Sequence, residues 1–279
     1  MVKELSKEEF ERMHKLQIEM LQEVDRVCRK HGIKYTIFGG TLLGAIRHKG
    51  FIPWDDDADI AMLREEYNKF KAVMHEINPD ICYLQDNETD PEYRWGYTKM
   101  RKTGTRFVRV GQEHLKCKTG VFIDIFPMDD IPLTTLGQIV HDIYCFCLRK
   151  VLWSEVGKYD EKNFFKKNLF RILSLVPSKF IFGLQKKMAD KSRNDTKNLV
   201  RLHLFPATGT LYYKHSLKTR YGMPKEWFLD VVDYDFDGLK LLGSRKYHDV
   251  LVYIFNTDYM ELPPEDQREG HAPVSDYYF

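Results

Sequence analysis

Three aspartates at every second position, Asp55, Asp57 and Asp59, are the first feature of this chain that points to chemistry. Along an extended segment side chains alternate between faces, so these three carboxylates are expected to project the same way. Like charges gathered on one face repel unless a cation lies among them. Oxygen donors at this density suit Mg²⁺ or Mn²⁺ rather than zinc. Ile52, Trp54, Ile60 and Met62 flank the acids and draw the segment towards a core, which sets it apart from a solvated acidic loop. A calcium loop competes, because Asp55, Asp57, Asp59 and Glu66 match its first, third, fifth and twelfth positions. Ile60 stands where that loop needs glycine, and Pro53 forbids a regular incoming helix, so the match fails.

Gly39-Gly40, followed by Thr41, lies upstream between an expected strand and an expected helix. Glycines there let backbone amides approach an anion, and the helix N-terminus adds a favourable dipole. Together with the acids this suggests a phosphate cradle facing a metal site. A further carboxylate is expected on a neighbouring strand. Asp124, within Phe122-Ile123-Asp124-Ile125-Phe126, is the candidate, since an acid in an apolar strand is costly unless a cation or hydrogen bonds compensate. Asp124 or Asp55 is the candidate general base, and the residues alone leave both open. Arg47, His48, Lys49, Lys99 and Arg101 are the candidate cations for phosphate. Trp54, Trp95, Tyr97, Trp227 and Tyr259 are aromatic residues available to a ligand, with ordinary core packing the competing role for each.

These residues need a scaffold. Ser6-Lys7-Glu8-Glu9 reads as a capping box, and Phe10, Met13, Gln17, Met20, Leu21, Val24 and Cys28 follow as one helical stripe that ends at Gly32. Strands are expected at 33–38, 57–62, 93–102, 106–110 and 121–126, the last stopped by Pro127, with helices at 41–48 and 64–77. A helix over 133–158, two helices within 164–187 divided by Pro177, a strand at 231–236 and a helix at 244–255 complete the pattern. The expected division is a catalytic core at 1–132, a helical insertion at 133–200 and a C-terminal part at 201–279 that completes the catalytic unit.

The chain has 279 residues, 43% hydrophobic and 30% charged, with a net charge of +2. That balance excludes a disordered chain and makes no demand for nucleic acid as a partner. Cys28, Cys82, Cys117, Cys145 and Cys147 are odd in number and lack CxxC spacing, which fits reduced thiols in the cytoplasm rather than a disulfide framework. The polar N-terminus is no signal peptide, and no apolar run approaches the roughly 20 residues that span a bilayer.

The stretch from Phe38 to Met62, FGGTLLGAIRHKGFIPWDDDADIAM, closely resembles the signature of the LicD family, which includes fukutin-like proteins. The resemblance extends to Tyr97-Thr98-Lys99-Met100-Arg101, to Gly120 through Pro127, and to Tyr259-Met260-Glu261-Leu262-Pro263-Pro264 with Arg268 and His271. It implies an α+β fold, a nucleotidyltransferase-like mixed sheet flanked by helices with an inserted helical region. It also implies transfer of a phospho-alcohol, phosphocholine first, from a CDP-activated donor to a sugar hydroxyl with release of CMP. The acceptor would be a cell-surface glycan such as lipopolysaccharide or teichoic acid, or its lipid-linked precursor. Carried over by position, Asp57 and Asp59 would be the metal ligands of a DxD pair, with Asp124 joining them and Asp55 in support. Gly39, Gly40, Thr41, Arg47, His48, Lys49, Trp54, Lys99 and Arg101 would contact substrate. Three alternatives share the acidic set: a nucleotidyltransferase acting on a nucleoside triphosphate, a DxD glycosyltransferase, and a non-catalytic metal-dependent glycan- or membrane-binding module. Finally, residues 164–187 mix aliphatic and aromatic residues with basic residues of one sign, so peripheral contact with the inner face of the cell membrane is expected there.

Overall fold

A computed structural model describes residues 3–190, 199–205, 221–268, 270 and 273–279. His271 lies outside them, as do residues 191–198 and 206–220 of the middle and C-terminal divisions.

Helix α1 (Lys7–Lys30) carries the predicted box: Glu9 N donates to Ser6 Oγ (3.2 Å) and Ser6 N donates to Glu9 Oε2 (2.7 Å). It buries Met13, Gln17, Met20, Leu21, Val24 and Cys28 along one face. At its end Gly32 N donates to Arg29 O and Ile33 N to Cys28 O, a left-handed stop. That stop engages Ile33, so strand β1 (Thr36–Ile37) is shorter than the predicted 33–38. Helix α2 (Gly39–Arg47), strand β2 (Asp59–Leu63) and helix α3 (Arg64–Val73) follow.

Strands β3 (Cys82–Gln85), β4 (Thr98–Lys102), β5 (Arg106–Arg109) and β6 (Phe122–Asp130) come next. β4 and β5 are consecutive but do not pair. β4 lies between β3 and β6, and among the described residues β5 pairs only with the last strand. β6 runs through Pro127 rather than stopping there. On the β4 side its pairing ends at Ile125, and it resumes with another strand at Asp129, so proline's missing N–H falls in the gap between partners. Every residue of β6 is buried.

Helices α4 (Thr135–Asp160), α5 (Phe164–Leu173) and α6 (Ser178–Asp190) form the middle of the chain. Strands β7 (Leu199–Arg201), β8 (Met223–Pro224), β9 (Val231–Phe236) and β10 (Leu239–Ser244), helix α7 (Tyr247–Phe255) and strand β11 (Val274–Tyr278) complete the described elements.

The protein is α+β. Its main sheet runs β3-β4-β6-β2-β1-β10-β9, with β7 continuing the far end of β6 and β8 beside β7. The β2–β6 and β1–β10 pairs are parallel and the others antiparallel. β5 and β11 form a separate ribbon. The main core joins α1, α2, the sheet and α7, while Leu148, Leu152, Ile181, Phe182 and Leu204 make a small separate cluster under α4 and α6. All five cysteines are free. Among the described residues no helix is long and apolar enough to cross a membrane.

Candidate active site

Strand register builds the centre of the site. Asp59 on β2 is aligned with Asp124 on β6, Asp124 faces Lys99 on β4, and Lys99 faces Gln85 on β3. Register partners share a face of a sheet, so acid, acid, base and amide form one lateral row. Asp57, Asp59 and Asp124 can each present an oxygen within 4.8 Å of the others. Asp55, Asp56 and Asp57 form a second, overlapping group within the same limit. The expectation that Asp55, Asp57 and Asp59 form one face is therefore modified. Regular strand begins only at Asp59, so the preceding loop turns Asp55 towards Asp56 while Asp57 belongs to both groups.

The helix before the acids is shaped around them. Gly39, at φ 53°, starts α2, and a Cβ there would stand 2.7 Å from Asp59 Oδ2. A Cβ on Gly40 would stand 2.3 Å from Asp55 Oδ2. Side chains at either position would displace a carboxylate, so the glycine pair lets the first turn of a helix approach the acids directly. The amide dipoles of that turn favour negative charge beside it. Thr41 adds a link: Asp59 N donates to its Oγ1 at 2.8 Å.

Helix α1 fixes the acidic loop from the other side. His14 Nε2 donates to Asp55 O (2.7 Å), and the ring stacks on Phe51 with centroids 4.1 Å apart. Burial holds the His14 pKa below its ordinary value, which keeps the ring neutral for that single donation. Gln17 Nε2 donates to Asp56 O (3.1 Å) and to Phe122 O (3.2 Å), tying the loop to the start of β6. Neither residue was assigned a role from the sequence. Gln17 did carry a signal, as the polar member of a stripe that is otherwise apolar.

The cations divide. The Lys99 ammonium donates to Asp124 Oδ1 and lies over the Phe122 ring. Burial, opposed by Asp124, brings Lys99 down to about 8, while burial raises the Asp124 carboxyl. Arg101 faces Phe122 in register, but its donors serve Gln85 Oε1 (2.7 Å) and Gly120 O (2.8 Å), so it braces the strand beside the acids. Arg109, brought in by the β5–β11 ribbon, reaches Asp56 Oδ2 at 3.2 Å and Asp57 Oδ2 at 3.5 Å. It was not foreseen, since nothing in Arg106-Phe107-Val108-Arg109 marks one arginine above the other. Tyr97 stands on the same side, its hydroxyl pKa pushed well up by burial and by the charge of Asp124.

A cavity of about 490 Å³ opens on the other side of the acids, with Gly40, Asp55, Arg47, Trp54 and the segment from Asp258 to Pro264 in its wall. Arg47 Nη1 donates to the carbonyls of Tyr259 and Glu261, each at 2.9 Å, which pins that segment against α2. His48 Nε2 accepts from Arg47 Nε (3.0 Å), and burial followed by the arginine's charge lowers its pKa. Trp54 sits edge-on to His48 and beneath the Arg268 guanidinium, 5.4 Å from the ring centre. Lys49 is different: its side chain is exposed, its φ is 61°, and its carbonyl accepts from Asp237 N (2.8 Å). Trp227 is buried against Tyr253 in the core, away from this wall. Glu66 is also elsewhere, accepting from Lys34 N and Lys69, which removes the last ligand of a calcium loop.

Five carboxylates, Asp55, Asp56, Asp57, Asp59 and Asp124, thus converge on two facing cations, Lys99 and Arg109. The donors are hard oxygens and the excess charge is negative, so the set fits a divalent ion such as Mg²⁺ or Mn²⁺.

Residues 32–150 match the family model described as LicD/FKTN/FKRP, nucleotidyltransferase domain. Over 265 residues the chain is 29% identical to the lipopolysaccharide cholinephosphotransferase LicD of Haemophilus influenzae, covering 91% of this chain and 92% of that protein. Uncharacterized proteins of Rickettsia typhi and Rickettsia prowazekii are 41% and 46% identical over 56 residues, or 20% of this chain and 18% and 21% of theirs.

Proposed function

Because this chain belongs to the LicD family, we propose that it is a phosphotransferase that moves phosphocholine from CDP-choline to a sugar hydroxyl of a cell-surface glycan, or of its lipid-linked precursor, at the cytoplasmic side of the membrane. One observation carries the reading beyond the relatives' names. Three carboxylates, from β2, the loop that leads into it and β6, meet within 4.8 Å, beside a helix start opened by two glycines.

In this reading Asp57, Asp59 and Asp124 hold Mg²⁺ or Mn²⁺, and Asp55 supports them. The ion, when bound, supplies charge neutralisation for a diphosphate and lowers the pKa of a coordinated hydroxyl. The chain's own residues do the rest. Arg109 and Lys99 face the charge that spreads over the phosphoryl oxygens, and the first turn of α2 with Thr41 lies beside it. The cavity walled by Trp54 and Tyr259 and by Asp55, Asp258 and Glu261 suits a quaternary ammonium group, with aromatic faces and negative charge on one surface. The acceptor oxygen attacks the phosphorus that bears the alcohol, and the bond to the bridging oxygen breaks. CMP leaves, and the hydroxyl proton passes to a carboxylate of the acidic set.

Incubation of the purified protein and Mg²⁺ with CDP-choline, CDP-ethanolamine, CDP-glycerol and CDP-ribitol, with a glycan acceptor, tests the proposal. CMP is expected with CDP-choline and is expected to disappear with EDTA and return with Mg²⁺ or Mn²⁺. Pyrophosphate from a nucleoside triphosphate would identify a nucleotidyltransferase instead. A nucleoside diphosphate from a sugar nucleotide would identify a glycosyltransferase. Binding without turnover of any activated donor would identify a non-catalytic module.

A further inference from the structure

Helices α4 to α6 and the turn between α5 and α6 present many apolar side chains to solvent. Phe164, Phe165, Leu169, Ile172, Leu175 and Phe180 are all exposed, Phe165 at 81% and Leu175 at 80%. Phe165, Leu169 and Ile172 follow helical spacing and share one face of α5. On α4, Leu136, Val140 and Ile143 repeat the spacing and are exposed as well. An exposed apolar surface of this kind marks an interaction site.

The charges choose the partner. Lys166, Arg171, Lys179, Lys186 and Lys187 are exposed among these side chains, and no acidic residue occurs between Phe164 and Lys187. Among the described residues none of these five forms an ion pair. A second copy of this chain, docked by two-fold symmetry, would set this one-sign surface against itself. An anionic bilayer offers what the face lacks: phosphates for the basic residues and an apolar layer for the phenylalanines.

We propose that the α5–α6 face docks on an anionic phospholipid bilayer, with Phe164, Phe165, Leu175 and Phe180 entering the headgroup region and the lysines and Arg171 contacting lipid phosphates. Docking in this manner is peripheral, consistent with the absence of a membrane-crossing helix among the described residues. The proposal stands apart from the catalytic reading, and its test needs no turnover.

The test is flotation of the full chain with vesicles of phosphatidylcholine, with and without about a quarter phosphatidylglycerol. The chain is expected to float with the anionic vesicles and to partition roughly tenfold less into the neutral ones. Phe165→Ser combined with Leu175→Ser should reduce anionic partition by about tenfold, because both side chains are already in water and their loss leaves the fold intact. No flotation of the wild-type chain with anionic vesicles would overturn the proposal. So would equal flotation of the double variant, or a dimer in size-exclusion chromatography that the same pair of substitutions converts to monomer.

Discussion

Replacement of Asp57 or Asp59 by asparagine is expected to reduce turnover by about 10³-fold or more while leaving the melting temperature unchanged or slightly raised. The two halves of this result have separate causes. Asp57, Asp59 and Asp124 bring oxygens within 4.8 Å of each other, and asparagine keeps the size but removes one negative ligand. On the proposed reading a divalent ion would then be held by fewer charges, and attack on the diphosphate would lose its main source of charge neutralisation. In the metal-free protein the same change relieves repulsion between carboxylates, which offsets the contact that Asp57 loses with Arg109, a guanidinium still held by Asp56. Steady-state CMP release and thermal melts with and without Mg²⁺ separate the two. Turnover within tenfold of wild type in either variant would remove these residues from the metal site.

Asp124→Asn should behave differently, and the contrast is informative. Asp124 and Lys99 face each other across β4 and β6 with side chains only 7% exposed. Removing one partner of a buried pair leaves the other desolvated and unpaired, at a cost of about 3 kcal/mol. For a chain of this size that lowers the melting temperature by roughly 5 °C. Turnover is lost as well. Adding Lys99→Met to Asp124→Asn should restore much of the melting temperature and none of the turnover, because it removes the stranded ammonium without returning the carboxylate. Recovery of turnover in the double variant would mean that Asp124 serves only to neutralise Lys99.

Parts of this arrangement were legible in the residues. Asp57 and Asp59 were visible because a period of two is a statement about strand faces, and Asp124 because an acid among isoleucines and phenylalanines demands compensation. The capped first helix and the glycine pair were local signals too, though the glycines prove to be shaped by the carboxylates they touch. What was not legible is register. No pattern along the chain says that Lys99, rather than Arg101, lies opposite Asp124, since both occupy the same face of β4. Arg109 depends on a ribbon closed by β11, some 165 residues away, and its neighbour Arg106 is spent on Asp276 at the surface. The short strands β3 and β10 give no signal along the chain, because segments of four to six residues carry little periodicity, and β6 outruns the stop expected at Pro127 because the gap that tolerates proline is set by its partners. The cavity wall from Tyr259 to Pro264 was visible only through the family resemblance, as its place beside Arg47 rests on two backbone hydrogen bonds.

The central claim is that these aspartates hold a divalent ion where a diphosphate is cleaved. Crystals soaked in Mn²⁺ and CDP-choline, measured for anomalous scattering at the manganese edge, test it most directly. The account predicts a peak within about 2.3 Å of oxygens from Asp57, Asp59 and Asp124, with donor phosphates completing its coordination. A donor bound with no peak at those carboxylates, or a peak held by other residues, would contradict it.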